Sequence, residues 1–360
     1  MTVTARQRQF DAARAEAFGG RMLSILGGGL LSSMVDIGHR TGLFAAATEG
    51  PATSQQLAAR AGLTERYVRE WLGAVTTGGI FDYNAADDTY ALPPEHAALL
   101  TGPTGMGPMA VANTVLAKHT HQIIQAFREG GGVPYAAYAP EFTDAMDAMG
   151  RGVFDTMLID SYLPLVPGLS ELLTTGARVA DFACGTGHAL IILARAFPSS
   201  TFVGYDLDEH AIARARAEAT GAGLSNVSFE LADVARLTVS MLFDVAFIFD
   251  ALHDQVEPER VLARVHDALR PGGLLFMREP RAADTIAGNL ENPMAPILYS
   301  VSTLHCLTVS LAHNGAGIGT VFGEALARRM LAEAGFGECS VHAAPGNPSD
   351  AIYVSRALAN

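Results

Sequence analysis

Cysteine and positive charge are both scarce in this sequence. Its 360 residues include only three cysteines, Cys184, Cys306 and Cys339, which argues against a disulfide framework or a structural zinc site. Lysine and arginine number 24 against 37 acidic residues, so the net charge is −13. Because nucleic acids are bound through clustered basic residues, this balance argues against a nucleic-acid partner. We expect a protein of the reducing cytoplasm.

Long uninterrupted apolar runs are also lacking. The longest stretch, from Ile297 to Leu311, is too short to span a membrane and is interrupted by Ser300, Ser302, Thr303 and His305. The residues from Met1 to Phe18 are polar and helical in pattern, unlike a signal peptide. We therefore expect no membrane partner. At 49% hydrophobic residues, the chain still has enough apolar side chains for a sizeable core.

The stretch Val-Ala-Asp-Phe-Ala-Cys-Gly-Thr-Gly at 179–187 predicts a strand followed by a tight glycine loop. Gly185 and Gly187 let backbone approach a ligand closely, and the apolar spacing from Leu190 onward predicts a helix behind the loop. A dinucleotide site requires a third glycine where this chain has Leu190, and Asp181 would lie near its pyrophosphate. S-adenosylmethionine (SAM) instead carries an ammonium and a sulfonium, which an acid at the strand end favours.

Two more acids stand at predicted strand ends. Asp206 follows the strand at 201–205 and can accept both hydroxyls of a ribose, and Asp233 follows the next strand and can accept an adenine amino group. Residues 181–187, 204–207 and 232–234 resemble the successive SAM-binding motifs of class I methyltransferases, whose loop has glycine where this chain has Ala183. The resemblance implies that SAM is the cofactor and S-adenosylhomocysteine the product. The implied cofactor-binding residues are Asp181, Ala183, Gly185, Gly187, Asp206, Leu207, Asp233, Val234 and Phe249.

From Gly176 onward, strand and helix patterns alternate. Strands near 178–182, 201–205, 227–231, 244–249, 273–278, 338–343 and 351–356 predict an α/β fold with a Rossmann-like, doubly wound, seven-stranded sheet. The sheet is mostly parallel with a late antiparallel pair. We expect a SAM-binding catalytic domain over 171–360, with residues 280–322 as a lid over the acceptor. Residues 111–170 are predicted as a helical linker that contributes to the substrate pocket.

The first 110 residues predict a mostly helical domain of winged-helix type. Thr53 or Ser54 caps a short helix that ends at Gly62, a second helix follows Thr64, and residues 80–92 form a wing. Because the second helix and the wing are rich in acids, we expect a structural role rather than DNA binding. The apolar run from Met22 to Ile37 predicts a homodimer contact, with burial in its own domain as the alternative. This layout resembles small-molecule O-methyltransferases of plants and bacteria, in which the module dimerises the enzyme.

The fourth predicted strand of the sheet leads into Leu252-His253-Asp254-Gln255. Strand ends in such sheets face the ligand, and an imidazole with a pKa of about 6.5 suits a general base. The stretch is similar to the His-Asp-Trp of plant-type O-methyltransferases, which implies that His253 is the base and Glu279 orients it. Phe249 replaces a lysine common in those enzymes. The second orienting glutamate has no clear match, and Glu324 is nearest but out of register.

Four residues are predicted to line the acceptor pocket: Phe154, Met157, Tyr299 and His305. A second hypothesis uses His253, Asp254 and His305 as a metal site with two histidines and one carboxylate, which would assist methylation of a 2-keto acid at carbon. Some bacterial 2-keto-acid C-methyltransferases look similar here. The primary interpretation has no metal. The other histidines, including His188 and His266, are predicted to lie on the surface or in loops.

Taken together, these patterns predict a SAM-dependent methyltransferase for a small, partly hydrophobic acceptor, methylated at a hydroxyl. Two other classes stay open. Asp181 and the missing third glycine argue against a nicotinamide oxidoreductase. The acidic balance argues against a ligand-sensing transcriptional regulator built on a degenerate SAM fold.

Overall fold

The computed structural model describes residues 10–102 and 105–359, and its chain divides into two compact units after Thr114. Part of the predicted N-terminal helical region, residues 5–9, lies outside the described residues. The elements of the first unit are α1 (Ala12–Arg40), α2 (Leu43–Ala47), α3 (Ser54–Ala61), α4 (Glu65–Thr77), β1 (Asp82–Asn84), β2 (Thr89–Ala91) and α5 (Pro94–Thr101). Helix α6 (Gly107–Lys118) continues past the division.

A winged helix-turn-helix forms the core of this unit. Thr53 caps α3 in a reciprocal capping box with Gln56, and Gly62 ends the helix in the left-handed conformation (φ 67°). Helix α4 buries Val68, Trp71 and Leu72 against the rest of the unit. The antiparallel pair β1–β2 forms the wing. The predicted helices and wing are confirmed.

Helix α1 leaves much of its apolar surface uncovered. Five large side chains are more than half exposed: Phe18, Leu23, Ile25, Leu26 and Leu30. The alternative of burial in the same unit therefore holds for only part of the apolar run: Leu31, Met34 and Val35 pack against the core of their own unit, whereas Leu23, Ile25, Leu26 and Leu30 stay exposed. The helix contains an 18-residue window of mean hydropathy 1.2 with none of that window buried, so by length and composition alone it could cross a membrane. The sequence pattern did not predict this length of apolar helix, because glycines and serines interrupt the apolar residues.

The second unit contains the sheet and its flanking helices. Its helices are α7 (Thr120–Glu129), α8 (Glu141–Met157), α9 (Leu169–Thr175), α10 (His188–Ala196), α11 (Glu209–Gly221), α12 (Pro258–Ala268), α13 (Ile286–Asn289), α14 (Ala295–Val301), α15 (Leu307–Leu311) and α16 (Glu324–Glu333). Its strands are β3 (Arg178–Phe182), β4 (Thr201–Asp206), β5 (Val227–Leu231), β6 (Phe243–Phe249), β7 (Leu269–Pro280), β8 (Ser340–Ala343) and β9 (Asp350–Arg356).

These seven strands form one sheet in the order β5-β4-β3-β6-β7-β9-β8. The first five pair in parallel, while β9 is antiparallel to both β7 and β8. Apolar side chains cover both faces, as a buried parallel sheet requires. The predicted fold class, including the late antiparallel pair, is confirmed. The strand order reverses between β3 and β6, because β4 lies on one side of β3 and β6 lies on the other. Sheets of this kind bind ligands at that point.

Two helical segments near this edge differ from the prediction. The helix expected over 141–149 runs eight residues further to Met157 and continues as a π-helix over Leu158–Tyr162. The segment predicted as a lid contains α13, α14 and α15, with a second π-helix over Ser302–Cys306. Single-turn π-helices are frequent at functional sites, because the extra residue changes which side chains share a face.

Candidate active site

The loop between β3 and α10 has a left-handed backbone at three residues and follows a buried acid, Asp181. Ala183, Gly185 and Gly187 all have left-handed φ angles of 63°, 54° and 71°. A Cβ on Gly187 would meet the Phe229 ring at 2.2 Å, so only glycine fits there. Asp181 is 1% exposed, and its Oδ1 has no hydrogen-bond partner within the described residues. Burial, and next the charge of Asp206, raise the pKa of Asp181 well above its ordinary value. A ligand cation would relieve both effects.

Asp206 supports the same loop from the end of β4. Its Oδ2 accepts a 2.7 Å hydrogen bond from the Gly185 N–H, and its Oδ1 accepts one of 2.8 Å from the Asp208 N–H. Burial raises the pKa of Asp206, and these donors oppose that shift. At the end of β5, Asp233 caps a short 3₁₀ turn through the Ala235 N–H and pairs with Arg236 at 2.9 Å. The structure therefore gathers the three predicted acids at one edge of one sheet.

His253 and Glu279 form a buried pair after β6 and within β7. His253 Nδ1 lies 2.5 Å from Glu279 Oε2, and the other oxygen, Oε1, accepts the Leu252 N–H at 2.8 Å. The two residues are 3% and 0% exposed. Because Glu279 is held by backbone, it fixes the orientation of the ring. The structure thus brings together the two residues for which the sequence predicted base and orienting roles.

The second ring nitrogen of His253 faces Asp254, which in turn approaches His305. His253 Nε2 lies 3.3 Å from Asp254 Oδ1, and Asp254 Oδ2 lies 3.7 Å from His305 Nδ1. A ligand atom of Cys306 also lies within 4.8 Å of those of His253 and Asp254. Burial lowers the pKa of His253, but Asp254 and Glu279 outweigh it and raise the pKa well above the ordinary value. The two carboxylates therefore favour the charged form of the imidazole.

His305 sits in an aromatic box. The rings of Tyr135, Tyr138 and Phe142 lie 4.1–5.7 Å from its ring centroid. Its Nε2 is buried and has no hydrogen-bond partner within the described part of the chain. Burial lowers the pKa of His305, and Asp254 only partly offsets this. His305 is therefore a neutral imidazole, which is the form that can accept a proton or bind a metal.

Three charged residues near this site were missed by sequence reasoning: Asp250, Arg278 and Asp350. A ligand atom of Asp250 lies within 4.8 Å of those of His253 and Glu279, and its backbone is left-handed (φ 57°). Arg278 is buried, 3.5 Å from Asp350 Oδ2. Burial raises the pKa of Asp350 to about 7, although Arg278 opposes the shift. Asp250 directly follows β6, as Asp206 ends β4, and that repeated position was the available signal.

The remaining residues predicted to bind the acceptor or the cofactor do not share one set of contacts. The Phe154 ring contacts the Phe249 ring at 5.1 Å and the Arg278 guanidinium at 5.0 Å, and Met157 lies against Gly346. Tyr299 accepts a hydrogen bond from Asn289 and lines a groove of about 340 Å³. Among the remaining cofactor candidates, Leu207 is 65% exposed and Val234 is buried.

Two other histidines are not where the sequence suggested. His266 is 6% exposed and packs against Phe336, so its prediction as a surface or loop residue is wrong. His188 begins α10 and bonds to Asp155, Arg151 and Glu218, so it belongs to a polar network rather than a loop. Glu324, the nearest but out-of-register candidate for a second orienting glutamate, pairs with Arg328 and is half exposed.

Family models match both parts of the chain. Residues 29–102 match the Rv2258c-like winged HTH domain, and residues 173–335 match a methyltransferase domain. The chain belongs to the SAM-dependent methyltransferases. The second match covers β3 through α16, including the glycine loop, Asp206, Asp233, His253, Glu279 and His305. The predicted family and cofactor class are confirmed.

Curated methyltransferases resemble parts of this chain. A trans-aconitate 2-methyltransferase of Deinococcus radiodurans is 37% identical over 108 residues, which is 30% of this chain and 40% of the relative. The aklanonic acid methyltransferase DauC of Streptomyces sp. strain C5 is 30% identical over 156 residues, 40% of this chain and 67% of the relative. The chain spans less than half the length of three trans-aconitate 2-methyltransferases that it resembles.

Solved methyltransferase structures share the fold over nearly the whole chain. The mitomycin 7-O-methyltransferase MmcR has a TM-score of 0.71 at 21% identity, covering 96% of this chain and 100% of that one. Human N-acetylserotonin methyltransferase in complex with SAM has a TM-score of 0.72 at 17% identity, covering both chains fully.

Proposed function

We propose that this methyltransferase transfers the methyl group of SAM to a hydroxyl of a small, partly hydrophobic acceptor. The observation that carries the proposal is the buried Asp181, which lies beside the left-handed glycine loop and whose Oδ1 has no hydrogen-bond partner among the described residues. A buried carboxyl without a partner is unfavourable, and its cost is removed by a ligand that brings a positive charge. An anionic dinucleotide phosphate would add to that cost.

The residues that would hold SAM have separate tasks. Asp181 would pair with the ammonium, Asp206 would accept the ribose hydroxyls, and Asp233 would accept the adenine amino group. Asp206 already accepts two backbone N–H groups, and each carboxylate oxygen keeps a further lone pair for a hydroxyl. When bound, SAM supplies a methyl group on a sulfonium, ready for in-line displacement.

His253 and Glu279 would handle the acceptor proton. Glu279 holds Nδ1 at 2.5 Å, so the acceptor meets Nε2, beside Asp254 and Cys306. His253 accepts a proton only in its neutral form, and the raised pKa shifts this form towards higher pH. Glu279 then stabilises the imidazolium formed when the acceptor hydroxyl is deprotonated.

A metal-assisted reaction is the second candidate, and one observation favours it. Asp254 lies between His253 and His305, contacting one with each carboxylate oxygen. Two imidazoles and a carboxylate suit iron or zinc, and Glu279 on the far nitrogen of His253 is the partner that metal-bound histidines commonly have. These three residues would hold the ion, which would polarise a 2-keto acid for methylation at carbon. Cys306 is a further candidate ligand, because its ligand atom lies within 4.8 Å of those of His253 and Asp254 and a bound metal would deprotonate its thiol.

Calorimetry separates the proposed function from its alternatives. S-adenosylhomocysteine is expected to bind the purified protein, whereas NADH and generic duplex DNA are not, because only a ligand with an ammonium relieves the burial of Asp181. Tight NADH binding would support an oxidoreductase instead. Tight DNA binding would support a regulator. An Asp181→Asn variant serves as the matched control, since it keeps the shape of the side chain and removes the charge.

We propose further that two copies pair through α1, giving a cytoplasmic homodimer. The exposed apolar side chains of this helix and the open space around Gly27, Gly28 and Gly29 allow a second helix to pack closely. Light scattering at micromolar concentration should show a dimer, and Leu30→Glu should convert it to monomer. Phe127→Glu, at a side chain that is 77% exposed on α7, is the control and should leave the dimer intact. A monomeric wild type, or protein dispersed only by detergent, would contradict this.

A further inference from the structure

The glycine loop is tied to a helix that lies far from it in the sequence. Thr186, at the centre of the loop, donates a hydrogen bond from its hydroxyl to Asp147 Oδ1 on α8. The Thr186 residue is 7% exposed and the Asp147 side chain 6% exposed. This contact joins two residues that are 39 positions apart, and neither motif nor periodicity pointed to it.

Asp147 is itself held in place by two arginines. Its Oδ2 accepts from Arg151 Nε at 2.7 Å and from Arg214 Nη2 at 2.8 Å. Arg151 is in turn paired with Glu218 at 2.5 Å. Charge-assisted bonds of this kind are short and directional, so the oxygen that faces Thr186 has a fixed position.

The loop needs such support because its backbone is strained. Ala183 adopts the left-handed conformation, which is unfavourable for a residue with a Cβ, and Gly185 and Gly187 in the same loop are left-handed as well. Strained conformations persist only where the surroundings hold them. Asp206 holds the loop on one side through the Gly185 N–H, and Asp147 holds it on the other through Thr186.

We propose that Asp147 is a positioning residue for the cofactor, holding the glycine loop through Thr186 in the shape that receives SAM. The inference rests on the proposed function. Helix α8 also carries Phe154 and Met157, the predicted acceptor residues, so one element links the cofactor loop to the acceptor side. Asp147 does not touch the reacting atoms, and its effect is on affinity for the cofactor.

Calorimetry with S-adenosylhomocysteine tests this without knowledge of the acceptor. Asp147→Ala is expected to weaken binding about tenfold, the effect of one charge-assisted hydrogen bond. Asp144→Ala is the matched control, because Asp144 lies one turn earlier on α8 and pairs with Arg214 and His210 without contacting the loop. Its affinity should stay within about twofold of wild type.

Thr186 variants show whether the contact itself matters. Thr186→Val should match the loss of Asp147→Ala, Thr186→Ser should bind like wild type, and the double variant should lose no more than either single one. Normal binding by Asp147→Ala, or an equal loss in Asp144→Ala, would overturn the inference. If Asp147→Ala does not fold, Thr186→Val decides, since it leaves both ion pairs intact. A wild type that does not bind overturns the proposed function as well.

Discussion

Replacing Asp206 by alanine is expected to weaken binding of S-adenosylhomocysteine at least about tenfold. Hydrogen bonds to a charged group contribute about 1.5–3 kcal/mol each, and about 1.4 kcal/mol corresponds to tenfold. The carboxylate would serve two purposes, accepting the ribose hydroxyls and holding the Gly185 N–H at 2.7 Å. Alanine removes both, so the ligand loses its acceptor and the loop loses a support.

An asparagine at the same position separates these two effects. Asp206→Asn keeps one oxygen for the Gly185 N–H while removing the charge, so its affinity should fall between wild type and Asp206→Ala. Calorimetry measures all three, and circular dichroism confirms that each variant is folded. Unchanged affinity in Asp206→Ala would remove this strand end from the ribose site, whatever happens to activity.

The fold and the cofactor side of the site could be predicted because they depend on local patterns. A strand that ends in an acid before a glycine loop can be read from a few adjacent residues, and the carboxyl ends of parallel strands meet at one edge. Asp181, Asp206 and Asp233 therefore converge as the motif spacing indicated. The place of Glu279 beside His253 could be predicted for the same reason, since Glu279 lies near the end of β7.

The features that were missed depend on distant contacts. Asp147 reaches the loop from α8, Asp250 approaches His253 through a left-handed turn, and Arg278 meets Asp350 only after β9 joins the sheet. Of these residues, only Asp250 had a sequence signal, its position directly after a strand, and none of the three pairings could be predicted from periodicity. For α1, the sequence predicted an apolar run but did not show which of its side chains are exposed. Its exposure could only be seen once the other elements of its unit had packed without covering it.

His253→Ala should reduce the methyl-transfer rate by on the order of 10²–10⁴, the usual contribution of a general base. The same loss is expected if His253 binds a metal, so this variant alone does not separate the two mechanisms. They differ at His305. As a residue that only lines the acceptor pocket, His305 should affect acceptor binding more than turnover, whereas as a metal ligand it should be as sensitive to substitution as His253.

The dependence on pH provides an independent test. Asp254 and Glu279 outweigh burial and raise the pKa of His253 well above the ordinary value, so the base form is scarce at low pH and grows as pH rises. If His253 is the base, kcat/KM should increase with pH through a limb above about 6.5, the ordinary pKa of histidine. A metal on Nε2 would displace that proton, and the limb assigned to His253 would be absent.

Chelation and metal analysis complete the comparison. With His253 as the base, EDTA should leave activity unchanged, and purified protein should hold no stoichiometric iron or zinc. With a metal between His253, Asp254 and His305, one equivalent of ion should be present, and His253→Ala and His305→Ala should lose the ion and the activity together, since two remaining ligands hold a divalent ion poorly. We expect the first result, because among the described residues the ligand atoms of His253, Asp254 and His305 do not form a group within 4.8 Å of one another, while Glu279 at 2.5 Å suits a histidine base. One equivalent of metal lost in both variants would transfer the reaction to the metal-assisted mechanism and make His253 a ligand.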